Sequence, residues 1–324
     1  MTACVRRLIR TGSSSLAQCG RAVASRRSFL TLALFVLVAA IPAQAFAQAV
    51  DLRPKFTRDV RLQISLDDST TSDEQTDIKT VSKQDVIVLL KPKGTEGGRD
   101  GVVTVVDFVF ERIVLARDDG EGMSKFDSNA QPKTETERSL HAALKPLIGA
   151  TMEVRFDETG AVQSVSAVDS INPDGPLASV SSSFMDSMGL GRLLGPIMTL
   201  SPPKGKASPG ERWQVKSQAG SGDFGTLKFQ TDYQLTNVKD GKAEVSFQGT
   251  ITSDAEGTTG ASVTSFKNSR QSGSYSWNVE EGMIQKMESS MLVVFENTFT
   301  DATGKTHKST LRRATKMRVT RPGA

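Results

Sequence analysis

Residues 227–251 read LKFQTDYQLTNVKDGKAEVSFQGTI, with apolar and polar side chains alternating on both sides of a turn. Phe229 and Tyr233 lie on the apolar side of the pattern before the turn, and Val245 follows it after the turn. Successive side chains of a strand point to opposite faces, so a period of two predicts strands with one covered face. Gly241 suits the positive φ that a hairpin turn demands. The stretch therefore predicts an antiparallel hairpin.

The same alternation extends along the chain in both directions. Further strands are predicted at about 57–67, 77–91, 102–116, 263–279, 283–299 and 306–320. These segments exceed the usual five or six residues, and long antiparallel strands twist and coil. The predicted fold class is mainly β, a β-rich α+β fold. Its long antiparallel meander strands form a curved sheet or half-barrel with a few short helices.

An internal similarity divides this sheet. Residues 158–165 (ETGAVQSV) align with residues 280–287 (EEGMIQKM), each a tight turn that enters a strand. The alternative is that Gly-containing hairpins resemble one another in any β protein. We predict one β-rich domain at 50–324 with two related halves, about 55–170 and 209–321, joined by a partly helical connector at 171–208.

Two segments are predicted to be helical. Thr134 or Thr136 caps a short helix that runs through Leu147 and stops at Gly149. The second segment, 184–200, is rich in Leu, Met and Gly. It is either a mobile apolar flap or a broken helix that plugs the end of the sheet.

The N-terminal segment predicts export. Residues 25–30 read SRRSFL, and the run from Phe29 to Ile41 is apolar except at Thr31. A cationic segment before a short apolar run is typical of a cleaved signal, and this run is shorter than the roughly 20 residues that a membrane-spanning helix needs. We therefore predict that 1–49 are a cleaved export signal.

Small residues place the cleavage after Ala45, Ala47 or Ala49. The pair Arg26 and Arg27, followed by Phe and Leu, resembles the twin-arginine export signal, and general secretion is the alternative route. Either route predicts a periplasmic or secreted protein without a stable membrane anchor.

The predicted signal also accounts for the basic character of the chain. Residues 1–49 hold six of the 40 Lys and Arg residues and none of the 36 acidic ones, which leaves 34 basic against 36 acidic side chains. This balance argues against a nucleic-acid partner. Cys4 and Cys19 lie in the same segment, so the remainder lacks a disulfide, a thiolate metal site and a lipid-acceptor cysteine.

The search for catalytic motifs favours a protein that is not an enzyme and carries no cofactor or metal. The two His residues, His141 and His307, form no His-Glu-x-x-His motif, and neither a Gly-x-Ser-x-Gly elbow nor a phosphate loop occurs. The motif Ser201-x-x-Lys204 contains two prolines that prevent the helical turn such a pair needs. A carboxylate-dependent hydrolase is the enzymatic alternative, because it requires only two acids several ångströms apart.

A further candidate comes from a cluster of acidic side chains. The acidic residues Asp118, Asp119, Glu121 and Asp127 lack the order of a calcium loop and are interpreted as a hairpin tip.

Methionine marks the candidate ligand-lining face. Met283, Met287, Met291 and Phe295 share one face of a predicted strand, and the connector adds Met185 and Met188. These six residues are the candidate lining of an apolar site, because Met adapts to irregular apolar shapes. Ordinary core packing is the alternative.

The pattern as a whole resembles the periplasmic lipoprotein-carrier superfamily, which includes mycobacterial lipid-carrying lipoproteins. The turn 209–213 (PGERW) is also similar to a Gly-Glu/Asp-x-Trp element of uncharacterised secreted bacterial families. The resemblance implies a non-catalytic exported binding protein that holds a lipid or another apolar ligand in the concave face of the sheet. The alternative is an envelope structural or interaction protein that binds another envelope protein through a sheet edge or loops.

Overall fold

Long antiparallel strands make up most of the protein. The computed structural model describes residues 48–73, 78–98, 101–118, 122–166, 187–220, 226–254, 257–259, 262–300 and 303–322, all within one compact unit, Ala47–Ala324. The strands are β1 (Val50–Asp51), β2 (Val60–Ser72), β3 (Ile78–Gly98), β4 (Gly101–Asp118), β5 (Met123–Asp127), β6 (Thr151–Phe156), β7 (Val162–Val165), β8 (Lys206–Ala207), β9 (Arg212–Gly220), β10 (Thr226–Lys239), β11 (Lys242–Ser253), β12 (Gly257–Thr259), β13 (Ser262–Phe266), β14 (Arg270–Asn278), β15 (Met283–Thr300) and β16 (Thr306–Thr320). The helices are α1 (Glu135–Leu144), a 3₁₀ turn (Lys145–Leu147) and α2 (Ser187–Met198).

One large sheet has the order β7-β6-β4-β3-β2-β16-β15-β14-β11-β10-β9. Strands β2 to β7 and strands β9 to β16 form two meanders, which meet where β2 pairs antiparallel with β16. Short strands join the sheet at its sides, with β5 beside β4 and β13 beside β15. The mainly β, antiparallel fold class is confirmed, whereas the similarity of the two halves stays a prediction.

Over the described residues the sheet is open and strongly curved. Its ordered path ends at β7 and β9, and α2 contacts both of these strands. Eleven strands laid flat would separate the two ends by about 48 Å, whereas a 12-residue helix is about 18 Å long. The two edges must therefore curl toward each other around α2.

The strand boundaries differ from the prediction mainly at 263–279. That segment is two strands, β13 and β14, and Asn268 between them has a positive φ of 53°. Asn tolerates this left-handed conformation better than most residues, and it breaks the extended backbone. The Ser269 hydroxyl donates to the Val294 carbonyl at 3.3 Å and holds the break against β15.

The first helix is capped by Thr134 rather than by Thr136. The Thr134 hydroxyl accepts a hydrogen bond from the Glu137 N–H at 3.1 Å, and the Glu137 carboxylate accepts one from the Thr134 N–H at 3.2 Å. This reciprocal capping box fixes the first turn. Gly149, with φ of +80°, follows the 3₁₀ turn and ends the segment as predicted.

The second helix fills the main core. Leu190, Leu194 and Ile197 are fully buried, together with Trp277 and Phe108 from the two meanders. The described part of 184–200 is therefore packed as a plug and is not an exposed flap. Within the described residues, neither helix has the length and apolar character needed to cross a membrane.

Candidate functional site

The six predicted lining residues do not form one group. Met283 and Met287 are each 1% exposed and belong to the main core. Met291 and Phe295 are partly buried and pack in a different cluster. Met185 lies outside the described residues, and Met188 lies in α2 with only its backbone described.

The main core is closed around the first two methionines. The Trp213 indole N–H and the Tyr275 hydroxyl both donate to the Leu200 carbonyl, at 3.3 and 3.4 Å. Trp213 also stacks on Tyr233 with ring centroids 5.6 Å apart. These contacts fasten the segment that follows α2 over the sheet, so Met283 and Met287 are packing residues in this structure.

A second, separate apolar cluster lies farther along the same strands. It consists of the buried Leu227, Ile251 and Val293 with the partly buried Phe229, Phe266, Met291, Phe295 and Leu311. We call it the distal cluster. Phe266 and Phe295 pack edge to face at 5.5 Å.

The distal cluster lies on the face of the sheet that bears the main core, which we call the core face. Along β15, Met287 in the main core and Met291 in the distal cluster are four residues apart, so their side chains point the same way. The register then places Thr315 and Leu311 of β16 opposite Met291 and Phe295. One face therefore carries two apolar regions, the first covered by α2 and the second partly exposed.

Polar side chains lie between the two apolar regions. The Gln271 amide donates to the Thr231 hydroxyl on the core face. On the other side of Met291, which lies opposite both Gln271 and Thr315, the Arg313 Nε donates to Asp68 at 2.8 Å and Arg313 Nη2 donates to the same carboxylate. The Thr315 hydroxyl also donates to Asp68, at 3.1 Å. These five polar residues form the polar belt.

The two meanders differ beyond this belt. On β2 and β3 the described side chains on the core face at the level of the belt and beyond it are polar, namely Asp68, Thr70, Ser72, Thr80 and Ser82. The register adds Ile78 opposite Ser72 at the start of β3. On β10, β11, β13 and β15 they are mainly members of the distal cluster. The core face therefore carries an apolar area beside a polar one, with β16 as the border. Such a surface suits a ligand that has an apolar part and a polar part.

The tyrosines of the core are poor bases and nucleophiles at neutral pH. Burial raises the pKa of Tyr233 to about 12, although a hydrogen bond with Thr231 acts in the opposite direction. Burial and the nearby Tyr233 raise the pKa of Tyr275 well above its usual value of 10.

The other residues considered from the sequence have structural contacts. Ser201 donates to the Leu52 carbonyl at 2.8 Å, and His141 Nε2 lies 3.0 Å from the Ala130 carbonyl oxygen. Asp127 pairs with Arg112 at 2.8 Å, which lowers the pKa of the carboxyl, whereas Asp119 and Glu121 lie outside the described residues. In the described part of the chain, no group of three or more His, Cys, Asp or Glu side chains is arranged to hold a metal ion.

The residues that the sequence reasoning missed are Asp68, Arg313 and Thr315. The alternation of β2 and β16 places them on the core face, so the signal was present. Only the pairing of two strands from opposite ends of the chain brings them together. Ala49, one of the predicted signal residues, is exposed just before β1, whereas Arg26, Arg27, Ala45 and Ala47 lie outside the described residues.

Residues 196–284 match the model of a family of unknown function, DUF6263. The match runs from the end of α2 to the start of β15 and includes the 209–213 turn. The chain is thus similar over this part to an uncharacterised family, and the lipoprotein-carrier resemblance stays a prediction. No curated protein matches the chain.

Solved structures give only distant likenesses. A structure described as lipid–protein interactions in lipovitellin has 10% identity and a TM-score of 0.46, covering 83% of this chain and 26% of that one. The chain thus spans about a quarter of that protein. DynF of the dynemicin biosynthesis pathway of Micromonospora chersina has 7% identity and a TM-score of 0.17, covering 84% and 85%. OccK2 of Pseudomonas aeruginosa has 7% identity and a TM-score of 0.16, and the match covers 82% of this chain and 96% of that one.

Proposed function

We propose that the chain is a non-catalytic exported binding protein that holds a lipid or another apolar ligand on the core face, against the distal cluster. The observation that supports this most is that Met291, Phe295 and Phe229 stay partly exposed on the face that elsewhere forms the core. Apolar surface of this kind costs free energy in water, and a bound apolar ligand would recover it.

Two adjacent residues of β15 provide a matched test. Met291 points to the core face, and Leu292 points to the opposite face and is also partly buried. Met291→Gln keeps the size of the side chain but makes it polar, so we expect weaker uptake of a fluorescent acyl probe. Leu292→Gln should leave uptake unchanged.

Thermal unfolding of both variants separates a loss of binding from a loss of the fold. Native mass spectrometry of the protein recovered after export should show a reproducible lipid-sized adduct. Absence of both the adduct and probe uptake would exclude the proposed function.

Export is part of the same proposal. N-terminal sequencing of the processed protein should place its start after Ala45, Ala47 or Ala49. Replacing both Arg26 and Arg27 by Lys keeps the positive charge, so general secretion should tolerate the change and the twin-arginine route should not. A full-length N-terminus in every cell fraction would contradict export.

A second candidate function is that of an envelope interaction protein. In the described part of the chain β9 pairs only with β10, so the other edge of this nine-residue strand, which α2 also contacts, is the candidate for strand addition. An envelope pull-down tests this, with a synthetic peptide of residues 212–220 as competitor. Loss of the captured partner in the presence of the peptide would support edge pairing, and its retention would exclude it.

A further inference from the structure

We infer that the ligand is a single-chain amphiphile with an anionic head group. Its head group binds the Arg313 guanidinium, and its chain lies on the distal cluster. This inference rests on the proposed function and adds the chemical class of the ligand.

Arg313 borders the distal cluster directly. It lies opposite Val293 of β15 on one side and opposite Thr70 of β2 on the other. Two residues away on the same face, Leu311 lies opposite Phe295. A group bound to Arg313 would therefore have apolar neighbours toward β15 and hydroxyl neighbours toward β2.

The guanidinium keeps donors for an anion. Its Nε and Nη2 atoms donate to Asp68, and a guanidinium has five N–H donors in all. The Arg313 side chain is 40% exposed, whereas the Asp68 side chain is 17% exposed. Asp68 thus orients the guanidinium from one side, and the exposed side can donate charge-assisted hydrogen bonds to a carboxylate or phosphate.

The charges around this position favour an anion. At the two levels of the sheet that contain Asp68 and Arg313, the described residues on the core face include one further charged residue, Arg117. These two levels of the core face therefore carry two cationic side chains, Arg313 and Arg117, and one anionic side chain, Asp68. The members of the distal cluster at these levels are uncharged.

The dimensions of the cluster fit one extended chain. The distal cluster extends from Leu311 on β16, beside Arg313, to Phe229 on β10. Val293 and Ile251 form its buried floor, and the partly buried side chains above them supply the exposed apolar surface. Four strand spacings correspond to about 19 Å, and two levels along the strands to about 7 Å. An apolar surface this long and narrow fits a single extended acyl chain better than two chains side by side.

Calorimetric titration with two lipids of equal chain length tests the inference. Laurate has an anionic head, and monolauroylglycerol has a neutral one. We expect wild-type protein, stripped of co-purified lipid, to bind laurate more tightly. Arg313→Gln should weaken laurate binding roughly tenfold or more, because a charge-assisted hydrogen bond is lost, and should change monolauroylglycerol binding little.

Two variants keep the test decisive. Arg312→Gln removes the neighbouring charge on the opposite face of β16 and should have no effect. Asp68→Asn frees the guanidinium from its carboxylate, so laurate binding should become tighter. Increased affinity is not expected if the Asp68–Arg313 pair only stabilises the fold.

The failures of the two proposals are distinguishable. If wild-type protein bound laurate and monolauroylglycerol with equal affinity, or if Arg313→Gln weakened the binding of both equally, the inference of an anionic head group would be wrong. The proposed function would remain intact. Binding of neither lipid would overturn both. Co-sedimentation with phosphatidylglycerol vesicles without binding of free laurate would mean that the face docks on a membrane, which also overturns the inference.

Discussion

Tyr233 and Tyr275 are the two tyrosines of the chain, and both are buried. Burial raises the pKa of Tyr233 to about 12 and that of Tyr275 well above 10. In the unfolded chain the tyrosines ionise near pH 10. The contribution of their raised pKa values to the free energy of unfolding is therefore fully present below pH 10, and it is lost as the pH rises from 10 toward 12. We expect no tyrosinate absorbance at pH 10 while the protein remains folded.

A spectrophotometric pH titration, with circular dichroism recorded on the same samples, measures this. Tyrosinate should appear together with the loss of structure. The Tyr275→Phe variant controls for assignment, because it should halve the final signal. Ionisation of either tyrosine near pH 10 in protein that is still folded would contradict the prediction.

Gly160 is a second residue with a specific requirement. It has φ of +86°, and a Cβ at this position would lie 2.3 Å from the Met198 carbonyl oxygen at the end of α2. Gly149 has a similar φ of +80°, but a Cβ there meets nothing within 4 Å. Both Gly→Ala variants should lose about 1–2 kcal/mol through the left-handed backbone. Gly160→Ala should lose about 1–3 kcal/mol more through the clash with α2.

Urea denaturation of the two variants measures the difference. A similar loss in both would mean that α2 moves away from the turn at little cost. The comparison therefore reports how firmly α2 is held as a plug.

At the scale of elements, the structure shows which of two threonines caps α1, a choice that the sequence left open. Thr134 makes the capping box with Glu137, whereas Thr136 lies inside the first turn and is exposed. Thr134→Ala should lower the free energy of unfolding by about 1 kcal/mol, and Thr136→Ala should leave it unchanged or raise it slightly. Chemical denaturation measures both, and a larger loss at Thr136 would contradict the assignment.

The elements also show how far local patterns carry a prediction. Alternation along β15 predicts that Met287 and Met291 share a face, and they do. It cannot predict that α2 covers only the first of them, because α2 reaches the sheet by packing between strands that lie at opposite ends of the sheet order. The same limit applies to Arg313 and Asp68, which become neighbours only through the β2–β16 pairing.

The break at Asn268 also depends on a contact between strands. After the break Tyr275 and Trp277 alternate with polar residues, whereas before it Val263 and Phe266 are three residues apart and lie on opposite faces. The prediction of one strand over 263–279 does not take this change of phase into account. The positive φ is stabilised by bonds that Ser269 makes with Val294 on the next strand. A contact across the sheet therefore decides where β13 ends.

At the scale of the whole molecule, the two meanders share their stabilising contacts. The β2–β16 ladder runs from the Leu311–Ser72 pair to the Thr320–Gln63 pair. Below it, one core combines Phe108 of the first meander with Trp277 of the second. Each meander would expose apolar surface without the other, so we expect the described strands to unfold in one cooperative transition.

The positions of the tryptophans make this testable. Trp213 and Trp277 are the two tryptophans of the chain, and both lie in the second meander, whereas Thr134 lies beside the first. If the meanders unfold together, Thr134→Ala should shift two urea midpoints by the same amount, that of tryptophan fluorescence and that of far-ultraviolet circular dichroism. The fluorescence midpoint should shift even though the substitution lies in the other half of the molecule. A fluorescence midpoint that stays at the wild-type value while the dichroism transition splits would mean that the two meanders are independent. In that case the distal cluster, whose members all belong to the second meander, would be expected to keep its ligand affinity after the first meander has unfolded.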